Sequence, residues 1–151
     1  MTEHLTFMMG KYEARFPTDR LYARSHMWFQ VETEAEGYRV GFTAFAVRLL
    51  QDVYFLDWSI EPGVAVQARD EIGEIESSKA VSTLHAPADG VLVRFNRDLL
   101  KDPTTINTDN YGKGWLFNFE PKNTTLLNAE EYIQHLSGTW EDAQRQIKGQ
   151  M

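Results

Sequence analysis

Lys79 stands in the stretch Gly73-Glu-Ile-Glu-Ser-Ser-Lys79-Ala-Val-Ser-Thr-Leu-His-Ala-Pro-Ala-Asp-Gly90, the part of the chain best suited to chemistry. Glu74-Ile75-Glu76 and Val81-Ser82-Thr83-Leu84 alternate polar and apolar side chains, which predicts two half-buried strands. Ser77 and Ser78 favour a turn between them, so Lys79 is expected at the tip of a hairpin, projecting into solvent. A lysine that serves as a Schiff base or general base needs a desolvated pocket. A turn rich in Ser, preceded by Glu71, Glu74 and Glu76, instead favours the charged ammonium. Such a lysine is a poor catalyst and a good acceptor for an acyl group that another enzyme activates. It could equally be a solvated residue that keeps a sheet edge from pairing with other chains, and the segment alone leaves both readings open.

The remaining reactive residues form no competing constellation. His4, His26, His85 and His135 lie far apart, none at metal-ligand spacing from another, so no zinc or iron site is expected. Ser25 and His26 are adjacent, and neighbours on an extended segment point to opposite faces; no nucleophile elbow accompanies them. Tyr111-Gly-Lys-Gly-Trp115 lacks the pattern of a phosphate loop, and its glycines read as turn residues. The chain has no cysteine, which excludes disulfides and protein-thiol redox chemistry, so any sulfur chemistry must arrive on a cofactor.

A chain of 151 residues is the size of one domain, and 42% apolar with 25% charged residues is ordinary for a globular protein. A formal net charge of −7 disfavours nucleic acid, whose phosphates require a basic face. No apolar run is long enough to span a membrane. Met1–Gly10 carries Glu3 and His4 and no basic region ahead of a long apolar core, so a secretory leader is not expected.

The elements that must position Lys79 are mostly strands. Residues 1–20 show no clean periodicity and are expected to form an arm along the body. Met27–Thr33 and Tyr38–Phe42 make a hairpin about a turn at Glu34–Gly37. Thr43 is placed to cap a short helix over Ala44–Leu50. Strands follow at Val53–Trp58, Val91–Phe95 and Trp115–Phe119, and Pro103 closes a helical turn at Leu99–Asp102. Asn128 and Glu131 form a capping-box pair ahead of a C-terminal helix that Gly138 is expected to stop, with a second helix starting near Thr139. The expected fold is mainly β, a β-sandwich or flattened barrel with short helices, some of them C-terminal. The organisation is an arm at 1–20, a carrier domain at 21–127 and a helical extension at 128–151.

Several separated motifs in order give the chain a resemblance to the H-protein family of the glycine cleavage system: His26-x-Trp28, Gly41-Phe-Thr43-x-x-Ala46, Gly73-x-Ile-Glu-Ser-x-Lys79-Ala80, Ala86-Pro87-x-x-Gly90, Asn96, Pro103, Asn107 and Tyr111-Gly112-x-Gly114-Trp115. The resemblance runs from about Tyr22 to Tyr132. Gly63 and Gly90 stand 16 before and 11 after Lys79, the spacing of lipoyl-bearing hairpins. The resemblance implies the lipoyl/biotinyl-carrier fold, a cytoplasmic carrier rather than an enzyme, and lipoic acid joined covalently to Lys79. Ser78 and Ala80 flank the lysine where biotin carriers have methionine. Glu76, Ser77, Ser78 and Ala80 would be read by the modifying enzyme, a lipoate ligase or lipoyl transferase. A further implied partner is dihydrolipoamide dehydrogenase.

The departures from the family bear on the load. Family members hold a cationic aminomethyl group with a glutamate and an aspartate at positions that fall here on Met27 and Thr83. Ser25, His26, Met27 and Thr83 would therefore line a cleft without those carboxylates, and a protonated amine in a desolvated cleft needs a countercharge. The expectation is a divergent carrier for sulfur-compound oxidation beside a heterodisulfide-reductase-like complex. The alternative is glycine cleavage itself, with glycine decarboxylase and aminomethyltransferase as partners. A second alternative is a scaffold or lipoate-relay protein that carries nothing.

Overall fold

The computed structural model describes residues 3–33 and 37–148. In chain order the first elements are strands β1 (His4–Met9), β2 (Tyr12–Pro17), β3 (Leu21–Ala23), β4 (Met27–Thr33) and β5 (Gly37–Phe42), helix α1 (Ala44–Leu50), and strands β6 (Val53–Trp58) and β7 (Val64–Val66). They continue with β8 (Glu71–Ser77), β9 (Val81–His85), β10 (Gly90–Phe95), short helices α2 (Asp98–Lys101) and α3 (Thr105–Thr108), β11 (Phe117–Pro121) and helix α4 (Ala129–Lys148). One sheet has the order β3-β4-β5-β11-β10-β7, a second the order β6-β8-β9, and β1-β2 form a separate ribbon. The fold is the mainly β sandwich with short helices that the strand pattern implies. Most of the turn expected at Glu34–Gly37 lies outside the described residues.

The main core lies between the two larger sheets. Phe29, Val40, Phe117 and Phe119 from one sheet meet Val53, Leu56, Ile72, Ile75 and Leu84 from the other. Strand β4 is covered on both faces: Met27 and Phe29 enter this core, while Trp28 enters a second one. Gly41 in β5 lies directly beside Trp28; a Cβ there would sit 2.6 Å from the indole ring. That close approach accounts for glycine at this position in the Gly41-Phe-Thr43 motif.

The second core details one expectation and corrects another. The segment expected as an arm along the body is a hairpin from His4 to Pro17: β1 and β2 pair in register from His4↔Pro17 to Met9↔Tyr12 about a turn at Gly10, whose φ of 66° suits glycine. Met9, Ala14 and Phe16 on this hairpin pack with Tyr22, Phe45, Tyr132 and Leu136. Phe7 meets Trp140 edge-on at 5.6 Å, and Tyr22 stacks on Tyr132 at 4.9 Å. The C-terminal segment is also one helix, not two. Its capping box is formed, with Asn128 N–H donating to Glu131 Oε1 at 2.9 Å and Glu131 N–H to Asn128 Oδ1 at 2.8 Å. It continues through Gly138 because Leu136 and Trp140, on either side, both pack on the second core. Burial of flanking apolar residues outweighs the roughly 1 kcal/mol that a mid-helix glycine costs.

Gly138 is exposed, and a Cβ there would meet nothing within 4 Å. Gly138→Ala should therefore stabilise the chain by about 0.5–1 kcal/mol, seen as a higher urea midpoint at unchanged m-value; an unmoved midpoint would mean that α4 is not helical through 138 in solution.

Candidate functional site

The β8–β9 hairpin is set by local chemistry and held by distant residues. Its register pairs Glu76 with Val81, Ile75 with Ser82, Glu74 with Thr83 and Gly73 with Leu84. Ser77 closes the tip, its backbone N–H donating to Ala80 O at 3.0 Å and its hydroxyl to the same oxygen at 3.3 Å. Ser78 and Lys79 form the two-residue loop, and neither adopts positive φ, so ordinary L-residues fill it without strain. Ser78, Lys79 and Ala80 are exposed and Ser77 is buried. Near the root, a Cβ on Gly73 would stand 2.5 Å from Asp57 O, so only glycine lets β6 approach β8 this closely.

The tip is tied to the loop between α1 and β6. Ser78 N–H donates to Asp52 O at 2.8 Å, and Asp52 N–H donates to Ser78 Oγ at 3.3 Å. That loop is clamped in turn by Asn107 of α3. Its Oδ1 accepts from Val53 N–H at 2.8 Å and its Nδ2 donates to Gln51 O at 2.7 Å, one bond on each side of Asp52. Gln51 leaves α1 at φ 65°, with its side chain donating to Arg48 O. Lys79 is thus an exposed amine on a fixed turn.

The outer face of the small sheet surrounds the tip with two kinds of surface. The cross-strand row nearest Lys79 is Phe55–Glu76–Val81, and the next is Asp57–Glu74–Thr83. Tyr54, Phe55 and Val81 are large apolar residues that remain 60%, 41% and 57% exposed. Glu76 within this rim and Asp57 and Glu74 in the row behind it put three carboxylates on one face.

The structure gives the four residues expected to line a cleft different surroundings. Thr83 is exposed on the outer face, directly across from Glu74. Met27 is 4% exposed, inside the main core, so a glutamate placed there would be buried among apolar side chains. Ser25 is exposed in the Ala23–His26 turn. His26 packs against Phe45 and Tyr132 of the second core: Nδ1 lies 2.8 Å from Tyr132 Oη, which lies 3.0 Å from Thr43 Oγ1. One set of protons satisfies all three groups, Thr43 donating to Tyr132 and Tyr132 to a neutral imidazole. Burial, with His135 nearby, lowers the His26 pKa from near 6.5 to about 4. The same burial raises the Tyr132 hydroxyl above the usual phenol range. Sequence reading missed Asp52 and the rim of Tyr54 and Phe55. Asn107 stood out in sequence only as a motif residue; its clamp spans 54 positions and leaves no local signal.

No group of three or more His, Cys, Asp or Glu residues placed to hold a metal occurs among the described residues. No described helix is long and apolar enough to cross a membrane.

Comparison with known proteins bears on this site. The sequence model of the family described as glycine cleavage H-protein matches residues 20–139. The chain is 40% identical over 124 residues to the glycine cleavage system H protein of Rubrobacter xylanophilus, covering 82% of this chain and 96% of that one. Similarity to the H protein of Bifidobacterium longum is 41% over 115 residues, covering 75% and 82%. The crystal structure of a glycine cleavage system H protein from Mycobacterium marinum superposes with a TM-score of 0.69 at 41% identity, covering 81% of this chain and 99% of that chain.

Two measurements probe this geometry. Asn107→Ala removes both bonds that frame Asp52 and should cost about 1–3 kcal/mol; it should also raise amide exchange at Ser78 and Lys79 above that at the hairpin root, whereas equal exchange would show the tip to be held without the clamp. Because the His26 pKa is depressed by folding, the unfolded chain takes up the proton first as pH falls. Stability is then full above about pH 6.5 and declines towards pH 4, by about 2–3 kcal/mol. His26→Gln should flatten that part of the pH profile in chemical denaturation, and an unaltered slope would assign the loss to other groups.

Proposed function

The chain belongs to the glycine cleavage H-protein family, and we propose that it is a lipoyl carrier with its lipoic acid in amide linkage to Lys79, passing an aminomethyl load between the enzymes of glycine cleavage. Proteins of this family carry lipoic acid covalently on a lysine and act as carriers, not catalysts. The observation that carries the assignment to Lys79 is the exposed two-residue loop, clamped through Asp52 and Asn107, with the lysine at its apex.

The residues around the lysine fit such a group. When attached, lipoic acid supplies a disulfide that opens to a dithiol, able to hold a transferred group or two electrons. Lys79 presents the amine, and the turn formed by Ser77, Ser78 and Ala80 holds it at a fixed height for a lipoate ligase or lipoyl transferase. Tyr54, Phe55 and Val81 offer an apolar surface beside the tip. Tethering on a fixed turn makes each encounter with a partner one of high effective concentration. The implied partners are glycine decarboxylase, aminomethyltransferase and dihydrolipoamide dehydrogenase.

The aminomethyl reading is supported by charge as well as by kinship. Thr83 lacks the carboxylate that family members have there, but Glu74 stands directly across the ladder, flanked by Asp57, on the same exposed face. A protonated amine beside this face has a countercharge from the neighbouring strand. The observation favouring the second reading, sulfur transfer beside a heterodisulfide-reductase-like complex, is the neutral Thr83 on the exposed face.

Incubation with lipoate, ATP and a lipoate ligase, followed by intact-mass measurement, should add one lipoyl group to the chain and none to Lys79→Ala. A bare lysine after this treatment would favour a scaffold or relay role. The lipoylated chain with glycine decarboxylase and glycine should then take up the aminomethyl load, and Glu74→Gln should slow that step severalfold without reducing lipoylation. Full lipoylation with no loading from glycine would sink the glycine-cleavage reading and favour the sulfur one.

A further inference from the structure

A cavity of about 400 Å³ lies at the root of the lysine hairpin, lined by Arg24, Ser25, Arg69, Pro87, Thr124 and Thr125 together with small residues. Ala86 on its wall lies seven positions after Lys79, about 23 Å of extended chain. The cavity is therefore a place apart from the tip, and the inference drawn from it goes beyond the carrier reading.

Its lining contrasts with the rest of the molecule. The chain carries a formal charge of −7, yet two arginines and no carboxylate line this cavity. Among the described residues neither Arg24 nor Arg69 makes an ion pair. Two neighbouring acids bond to backbone: Asp70 Oδ2 accepts from Gln67 N–H at 2.8 Å, and Asp89 Oδ1 from Ala68 N–H at 2.7 Å, while Glu71 stands exposed outside the lining. Thr124 directs its hydroxyl proton to Lys122 O, which leaves Ser25 and Thr125 as the hydroxyl donors of the wall.

The backbone supplies an independent observation. The described residues other than glycine with positive φ are His26, Gln51, Arg69 and Asn123. Three of these four border the cavity: Arg69 lines it, His26 follows Ser25, and Asn123 precedes Thr124. Asn and His adopt left-handed backbone more readily than most residues, but at Arg69 it costs on the order of 1 kcal/mol, and such strain gathers at functional sites. The loops here are held firmly. Arg69 N–H donates to Ala86 O at 2.9 Å, Ala86 N–H to Asp70 O at 2.8 Å, and His26 N–H to Ala23 O at 3.0 Å.

We propose that this cavity is a binding site for a small tetrahedral oxyanion of the sulfate or phosphate class. Arg24 and Arg69 approach it from two tight turns and Ser25 and Thr125 complete the donor set. Guanidinium groups present paired N–H donors that match two oxygens of such an anion, and hydroxyls can meet a third. Because both arginines are exposed, the affinity expected is modest, about millimolar.

The test is titration of the purified chain with sodium sulfate, and separately with inorganic phosphate, against sodium chloride at matched ionic strength, followed by backbone amide shifts. Saturable shifts confined to the segments around Ser25, Arg69 and Thr125 are expected with either oxyanion. The double variant Arg24→Gln, Arg69→Asn should weaken binding at least tenfold, and Arg15→Gln should not change it. Asparagine tolerates the left-handed backbone at 69, so this variant keeps the loop while removing the guanidinium. Shifts that chloride reproduces, or that persist undiminished in the double variant, would overturn the site.

Discussion

The presentation of Lys79 depends on two hydrogen bonds from one asparagine. Asn107 grips the backbone on both sides of Asp52, and Asp52 in turn exchanges two bonds with Ser78. A two-residue loop at the end of a three-stranded sheet would otherwise be among the first parts of the fold to open, since local stability follows burial and pairing. The clamp gives that loop the support of α3 and of the C-terminal end of α1. An amine that another enzyme must find and modify gains from such rigidity, because a held loop loses less freedom on recognition. The freedom a carrier needs then resides in the side chain and whatever is joined to it.

Much of this was legible in sequence wherever the signal was local. The lysine hairpin shows as alternation interrupted by serines, the cap of α1 by Thr43 as a hydroxyl ahead of an apolar run, and the capping box of α4 as Asn128 with Glu131. Each places cause and effect within a few residues. What escaped was non-local. Gly138 is a stop signal by its immediate neighbours, but Leu136 and Trp140 are buried by a hairpin at the other end of the chain. That hairpin does alternate, with Leu5, Phe7 and Met9 and then Tyr12, Ala14 and Phe16 turned inward, but exposed Met8 between Phe7 and Met9 blurs the period in sequence. Met27 carried no sign that β4 is covered on both faces.

The countercharge at Thr83 shows how a sequence departure reads differently on one strand and across a sheet. Replacement of an acid by Thr83 suggests a lost countercharge only while the strand is considered alone. Pairing places Glu74 opposite it, and Asp57 opposite Glu74, so the face keeps its charge from neighbouring strands. Met27 differs: inside a core of aromatic and aliphatic side chains, its replacement by an acid would require desolvating a charge with no partner. Electrostatics on a sheet belongs to the face, not to the position.

Helix α1 joins the two halves of the molecule and so links the second core to the lysine. Its N-terminus is fixed by Thr43, whose hydroxyl meets Tyr132 and whose N–H donates to His26 O. Its C-terminus delivers Gln51 and Asp52 to the clamp that holds Ser78. Along its side Arg48 lies over the ring of Tyr12 at 4.8 Å, a contact with the β1–β2 hairpin, which lies outside the region matched by the family. The hairpin thus braces the helix that sets the position of the tip. Seven helical residues span only about 10 Å, so a shift of α1 against the second core would be passed almost undiminished to Asp52. In this chain the packing of Phe16, Tyr22 and Tyr132 is therefore part of what presents the lysine, although none of the three lies in the hairpin that bears it.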